Sequence, residues 1–129
     1  MKVHHSGRPF TDPSGDRLRD WLGLDADTFY DEARVAILPM GFCFPGYRKG
    51  SDLPPPAICA RTWRAPLVDR LPEVRLTLPI GGIAQRWHLG VTTNVTETVS
   101  NWRGFLPDAL PLPHPSWRNA GRPKRNPWF

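Results

Sequence analysis

The sequence predicts an α/β domain built on a short parallel sheet. Three apolar runs, Val35-Ala36-Ile37-Leu38, Val74 to Ile80 and Ala109 to Leu112, alternate with segments of helical pattern. Such alternation argues for parallel strands joined by crossover helices. A length of 129 residues fits a single domain, 1–129. Its 11 Gly and 16 Pro make up about a fifth of the chain, near the level of low-complexity sequence. Because the prolines are spread between apolar runs, the chain reads as loop-rich and globular.

Each element has its own signals. Residues 1–13 read as loop. Ser14 is placed to cap a helix with Asp16 in its first turn; Leu18, Trp21 and Leu22 share one face, and Gly23 ends it. Asp25 or Asp27 caps a second short helix carrying Phe29 and Tyr30. Val35 to Leu38, bounded by Arg34 and Pro39, reads as a buried parallel strand. Residues 39–57 read as a long Gly/Pro loop, a length that is uncommon without a function. Residues 57–71 have a helical pattern that Pro66 must kink or break. Val74 to Ile80 is the next strand. Gly81-Gly82 leads into a helix through Ala84, Trp87 and Leu89 that Gly90 closes, and Thr96 to Phe105 forms another helix. Ala109 to Leu112 is the last strand. Asn126-Pro127 has the form of a helix start. Ligands of parallel sheets bind at the carboxyl ends of strands; Pro39 to Cys43, Gly81-Gly82 and His114 lie there.

Charge and cysteine content narrow the class. The net charge of +5 and a pI near 9.9 fit a polyanionic partner, and equally a plain basic surface. The sequence contains no apolar run of about 18 residues and no apolar h-region after Met1, which predicts neither a membrane span nor a secretory signal and makes the cytoplasm the expected setting. Two cysteines do not form a disulfide framework.

The richest stretch is His114-Pro115-Ser116-Trp117-Arg118-Asn119. It places an imidazole on a Pro-flanked loop beside a hydroxyl, an indole and a guanidinium, with Arg122, Lys124 and Arg125 following. Enzymes that handle a base in nucleic acid need such a combination. The plain alternative is a loop histidine bound to backbone, with Trp117 packed locally in a solvated basic tail. Asp12, two residues from Phe10, is the best local candidate to orient a water, although most aspartates here suit helix caps. Phe10 serves equally as a core anchor or as an aromatic face for an unstacked base.

Three segments together resemble the uracil-DNA glycosylase superfamily, nearest its bacterial uracil-DNA glycosylase family-protein branch and the iron–sulfur class. They are Gly7-Arg8-Pro9-Phe10 with Ser14-Gly15-Asp16-Arg17-Leu18 and Trp21-Leu22-Gly23; Met40-Gly41-Phe42-Cys43 through Cys59; and Leu112-Pro113-His114-Pro115-Ser116 with Asn126-Pro127-Trp128-Phe129. The resemblance implies a three-layer αβα sandwich with a parallel sheet, and hydrolysis of the N-glycosidic bond of a flipped deaminated base in DNA. It implies that Phe10 stacks on the base with Pro39 and Met40 nearby, and that His114 donates to the base oxygen. It also implies that Ser116, Trp117, Arg118 and Asn119 would press into the DNA groove, where the cations Arg118, Arg122, Lys124 and Arg125 suit phosphates.

Departures from the family pattern carry their own expectations. The family's first strand and its water-positioning motif have no counterpart before Lys2, nor has its last helix a counterpart after Phe129. The chain is therefore expected to be truncated at both ends, with activity depending on the missing segments. The alternatives are a non-catalytic DNA-binding remnant and a truncated fragment that does not fold alone. Pro39 stands where the family has an Asn that bears on uracil specificity. Cys43 and Cys59, with fifteen residues between them, match half of a four-thiolate 4Fe–4S ligand set. A longer form would supply the other two cysteines; the chain alone is expected to carry two free thiols. DNA with a damaged base is the expected partner.

Overall fold

The computed structural model describes residues 6–119, 121 and 126. The first helix, α1 (Pro13–Leu22), starts at Asp12, whose carboxylate accepts hydrogen bonds from the Gly15 N–H at 3.3 Å and the Ser14 hydroxyl at 2.5 Å. The cap expected at Ser14 therefore falls two residues earlier. Pro13 explains the shift: its fixed φ suits a first turn, and it has no N–H to satisfy. Gly23 ends α1 at φ 62, the left-handed cap that favours glycine. Asp25 then caps α2 (Ala26–Phe29). Leu18, Phe29 and Leu112 form the buried centre, and Phe10, Ile37 and Ile80 pack around it.

The strand expected at Val35 to Leu38 does not form. Ile37 still packs on the core, but among the described residues no strand pairs with this backbone. A side chain takes its carbonyls instead: Arg64 Nη1 donates to Leu38 O at 2.8 Å and to Pro39 O at 3.3 Å. The long loop after it contains a hairpin that the sequence reading missed, β1 (Tyr47–Arg48) paired antiparallel with β2 (Ser51–Asp52). Lys49 and Gly50, at φ 51 and 75, make its two-residue turn, the primed geometry that fits hairpins.

From Ala57 the chain is helical to Val68, as α3 (Ala57–Cys59), a π-helical turn (Ala60–Arg64) and α4 (Ala65–Val68). Pro66 neither ends nor interrupts it. It withholds the N–H that an α-helix would deliver to Thr62, and the widened turn just before it absorbs that loss. Helix α5 (Gly82–Leu89) ends at Gly90 as expected. The helix expected from Thr96 to Phe105 is split into α6 (Val95–Ser100), capped by Asn94, and a 3₁₀ turn (Trp102–Phe105).

The other two expected strands run side by side and parallel, reduced to bridges at Thr77–Ala109 and Ile80–Leu112. Four backbone bonds join them: Thr77 N–H to Asp108 O, Leu110 N–H to Thr77 O, Leu112 N–H to Pro79 O, and Gly81 N–H to Leu112 O, all 2.9–3.1 Å. The donor that would fill the gap between them belongs to Pro79, which has none. Buried Gln85 reinforces the pair from α5, its amide donating to Leu112 O at 2.9 Å. Among the described residues this pair and the hairpin are the only β-structure, so the expected αβα sandwich is reduced to one parallel contact with helices around it. No described helix is long and apolar enough to cross a membrane.

Arg64 is 3% exposed. Besides the two carbonyls it meets His88 Nε2, and its guanidinium lies 5.2 Å from the Trp87 ring centre. Burial first, and then the Arg64 charge, push the His88 pKa down from 6.5 to about 4, so the imidazole is neutral and accepts from the guanidinium.

Two predictions follow from these contacts. A Cβ on Gly15 would sit 1.7 Å from the Phe10 carbonyl oxygen, so Gly15→Ala should lose at least about 3 kcal/mol in urea denaturation. Between pH 6.5 and about 4 the unfolded chain protonates His88 while the fold holds it neutral, so stability should fall as pH drops through that window. His88→Gln, which keeps an acceptor for Arg64, should flatten that slope in urea midpoints measured against pH.

Candidate active site

Three candidate groups lie around α1. The first is the Phe10 loop, which precedes the helix. Phe10 adopts φ 60, an uncommon left-handed conformation for a bulky residue. It is held there through its carbonyl, which accepts from Arg19 Nη1 at 3.2 Å and from the Tyr30 hydroxyl at 2.9 Å. Tyr30 donates at the same time to Pro9 O at 2.8 Å. The absence of a side chain at Gly15 lets α1 come up against that carbonyl. The Phe10 ring is half-buried and stands edge-on to Phe29, with centroids 6.2 Å apart. The structure thus makes Phe10 a core anchor that is only partly buried.

The second group is Asp12. Both cap bonds land on Oδ1, so the cap does not use Oδ2. Partial burial raises its pKa, but the bonds from Ser14 and the Gly15 amide outweigh it and hold the carboxyl below its ordinary value. It is ionised at neutral pH.

The third is His114, two residues beyond the Ile80–Leu112 bridge. Its Cβ and Cδ2 lie over Gly81, where an added Cβ would be 3.5 and 4.0 Å from them. The residue keeps an exposed face. Partial desolvation pushes its pKa below 6.5, and the negative charge of Asp12 pulls part of the way back. The imidazole is therefore neutral at pH 7, with one N–H to donate. Its loop is fixed at two points: Arg17 Nη1 donates to Pro115 O at 2.5 Å, and Asn119 Nδ2 donates to His114 O at 2.8 Å.

Helix α1 is thus common to all three. Its cap is Asp12, its Arg19 holds the Phe10 loop, and its Arg17 holds the His114 loop. Sequence reasoning singled out Phe10, Asp12 and His114 but missed the roles of Arg17, Arg19 and Tyr30 as ties. No local signal marks these ties, because the bond from Arg17 to Pro115 joins residues 98 apart in sequence.

The remaining candidates are more scattered. Ser116 is half-buried, and Trp117 to Asn119 form a 3₁₀ turn on which the Trp117 side is 77% exposed. Arg118 lies over the Trp117 ring at 5.6 Å. Pro39 is exposed and Met40 half-buried, with Arg64 gripping the backbone just before Met40. Arg122, Lys124 and Arg125 lie outside the described residues, as do Pro127 to Phe129 of the expected last helix. Cys43 is exposed and Cys59 half-buried, both as thiols. Among the described residues no three His, Cys, Asp or Glu side chains gather as metal ligands. These two thiols do not by themselves fit a four-thiolate cluster.

The model of one protein family, described as the uracil DNA glycosylase superfamily, matches residues 1–129.

Asparagine caps helices as well as aspartate does, which separates the two properties of Asp12. Asp12→Asn should change stability by less than about 0.5 kcal/mol. It should also lower the His114 titration midpoint, because the charge that raises it is gone. A proton-NMR titration of the His114 ring checks this; an unmoved midpoint would mean that the carboxylate does not act on the imidazole.

Proposed function

We propose, for a chain that belongs to the uracil DNA glycosylase superfamily, that it hydrolyses the N-glycosidic bond of uracil or another deaminated base turned out of a DNA strand. The base leaves the stack and replaces its lost neighbours with the Phe10 ring. As the bond between C1′ and the base nitrogen breaks, its electron pair goes to the base, which carries it largely on its carbonyl oxygen. The neutral His114 N–H donates to that oxygen and stabilises the charge as it forms. A water, oriented by the Asp12 carboxylate on the side its cap bonds leave open, bonds through its oxygen to C1′; the proton it loses passes to that carboxylate and from there to the base anion. An abasic sugar and the released base are the products. Ser116 to Asn119 press on the strand beside the site, with Trp117 as the wedge.

One observation carries this reading. A single helix ties the Phe10 loop, the Asp12 carboxylate and the His114 loop together, which gives a stacking face, an anion and a neutral N–H donor a fixed relation. Fixed donors stabilise developing charge without reorganisation.

The test is single-turnover cleavage of uracil-containing single-stranded DNA, with alkali to reveal abasic sites. His114→Ala, checked for folding by circular dichroism, should slow cleavage by about a hundred- to a thousandfold. Equal rates in the two proteins would remove His114 from the reaction. DNA binding by a folded chain with no cleavage at all would replace the enzyme with a binding module.

A further inference from the structure

Phe42, Phe44 and Tyr47 belong to none of the groups described above, and the core does not use them. They are 46%, 50% and 60% exposed. Phe44 and Tyr47 pair edge-to-face with centroids 4.9 Å apart, an arrangement that leaves ring faces open. The segment is held in shape. Tyr47 faces Asp52 and Arg48 faces Ser51 across the hairpin, and the Leu53 N–H closes it on Gly46 O at 3.0 Å. Gly41 sits so close to Pro55 that a Cβ there would lie 2.7 Å from the Pro55 Cβ, which fixes the base of the segment. Arg48 and Lys49 are both exposed at the turn, and no carboxylate occurs from Phe42 to Gly50.

We infer that this aromatic, basic hairpin is a second nucleic-acid surface, on which unpaired bases of a single DNA strand stack. Stacking needs an open ring face and is tolerant of sequence, and flanking cations hold the backbone of the strand. A duplex keeps its base faces covered by their neighbours and offers this surface only phosphates. Rigid aromatic rings suit the task because ordering them on binding costs little entropy. The inference deepens the reading above by naming the strand form that the chain holds, but its test does not require cleavage.

Binding is measured by fluorescence anisotropy of a labelled oligothymidylate that contains no uracil, beside a duplex of the same length, with the full chain. Tyr47→Ser and Phe44→Ser should each weaken single-strand affinity by about fivefold to a hundredfold. Duplex affinity should change by less than about twofold. Arg48→Ala with Lys49→Ala should make the logarithm of single-strand affinity less steep against the logarithm of salt, by about 1.4. Circular dichroism confirms each fold, and the charge variant provides a second route should an aromatic variant unfold. His114→Ala should leave this binding intact, so lost cleavage with retained hairpin-dependent binding overturns the enzyme reading alone. Unchanged single-strand affinity in the folded variants overturns the inference. So does an equal loss for duplex, or an effect confined to self-association in sedimentation or to binding of anionic vesicles.

Discussion

Everything at the candidate site depends on the close approach of α1 to the carbonyl of Phe10. Gly15 allows it by having no side chain, and Arg19 and Tyr30 fasten it by donating to the oxygen that faces the helix. The left-handed backbone of Phe10 would be unfavourable on its own and survives because several contacts determine it together. From this fastening the rest follows in space. The chain must turn into the helix at Asp12, which makes Asp12 the cap. The next turns then carry Arg17 to the loop of His114. A capping carboxylate, normally a local device, thereby becomes part of the electrostatic surroundings of an imidazole more than a hundred residues away in sequence.

Punctuation made the helices legible. Gly23 and Gly90 end α1 and α5 where the apolar pattern stops, because left-handed caps favour glycine for steric reasons that hold in any fold. The strands were less so. Val35 to Leu38 has the composition of a buried strand, but composition does not supply a partner, and Arg64, 25 residues or more along the chain, takes the carbonyls at its end, Leu38 and Pro39. Conversely, the hairpin was hidden because Lys49 occupies a turn position where Asn or Gly is the usual signal.

The site divides in the same way. Phe10 and His114 stood out because Pro-flanked aromatic and imidazole groups on loops are visible in one dimension. Their ties did not, since nothing in the local sequence tells Arg17 from any other solvated arginine; the bond to Pro115 exists only once the two ends of the chain have met. The Arg64–His88 contact is similar. A buried guanidinium needs acceptors; two backbone carbonyls and a neutral ring serve its two terminal nitrogens, and Nε is left without a partner among the described residues. What sequence reasoning reads best is chemistry with a local cause.

The prolines of the last parallel segment have a consequence for solubility. Leu110 and Leu112 spend their N–H groups on the neighbouring backbone, so the intervening Pro111 and the following Pro113 present their nitrogens to the opposite edge. An intruding strand from another molecule would find no donors there and could build at most half a ladder. The same two residues are almost wholly buried, which would strand an ordinary N–H without a partner. By having none to lose, they let this stretch of backbone lie in the interior with no orphaned donor.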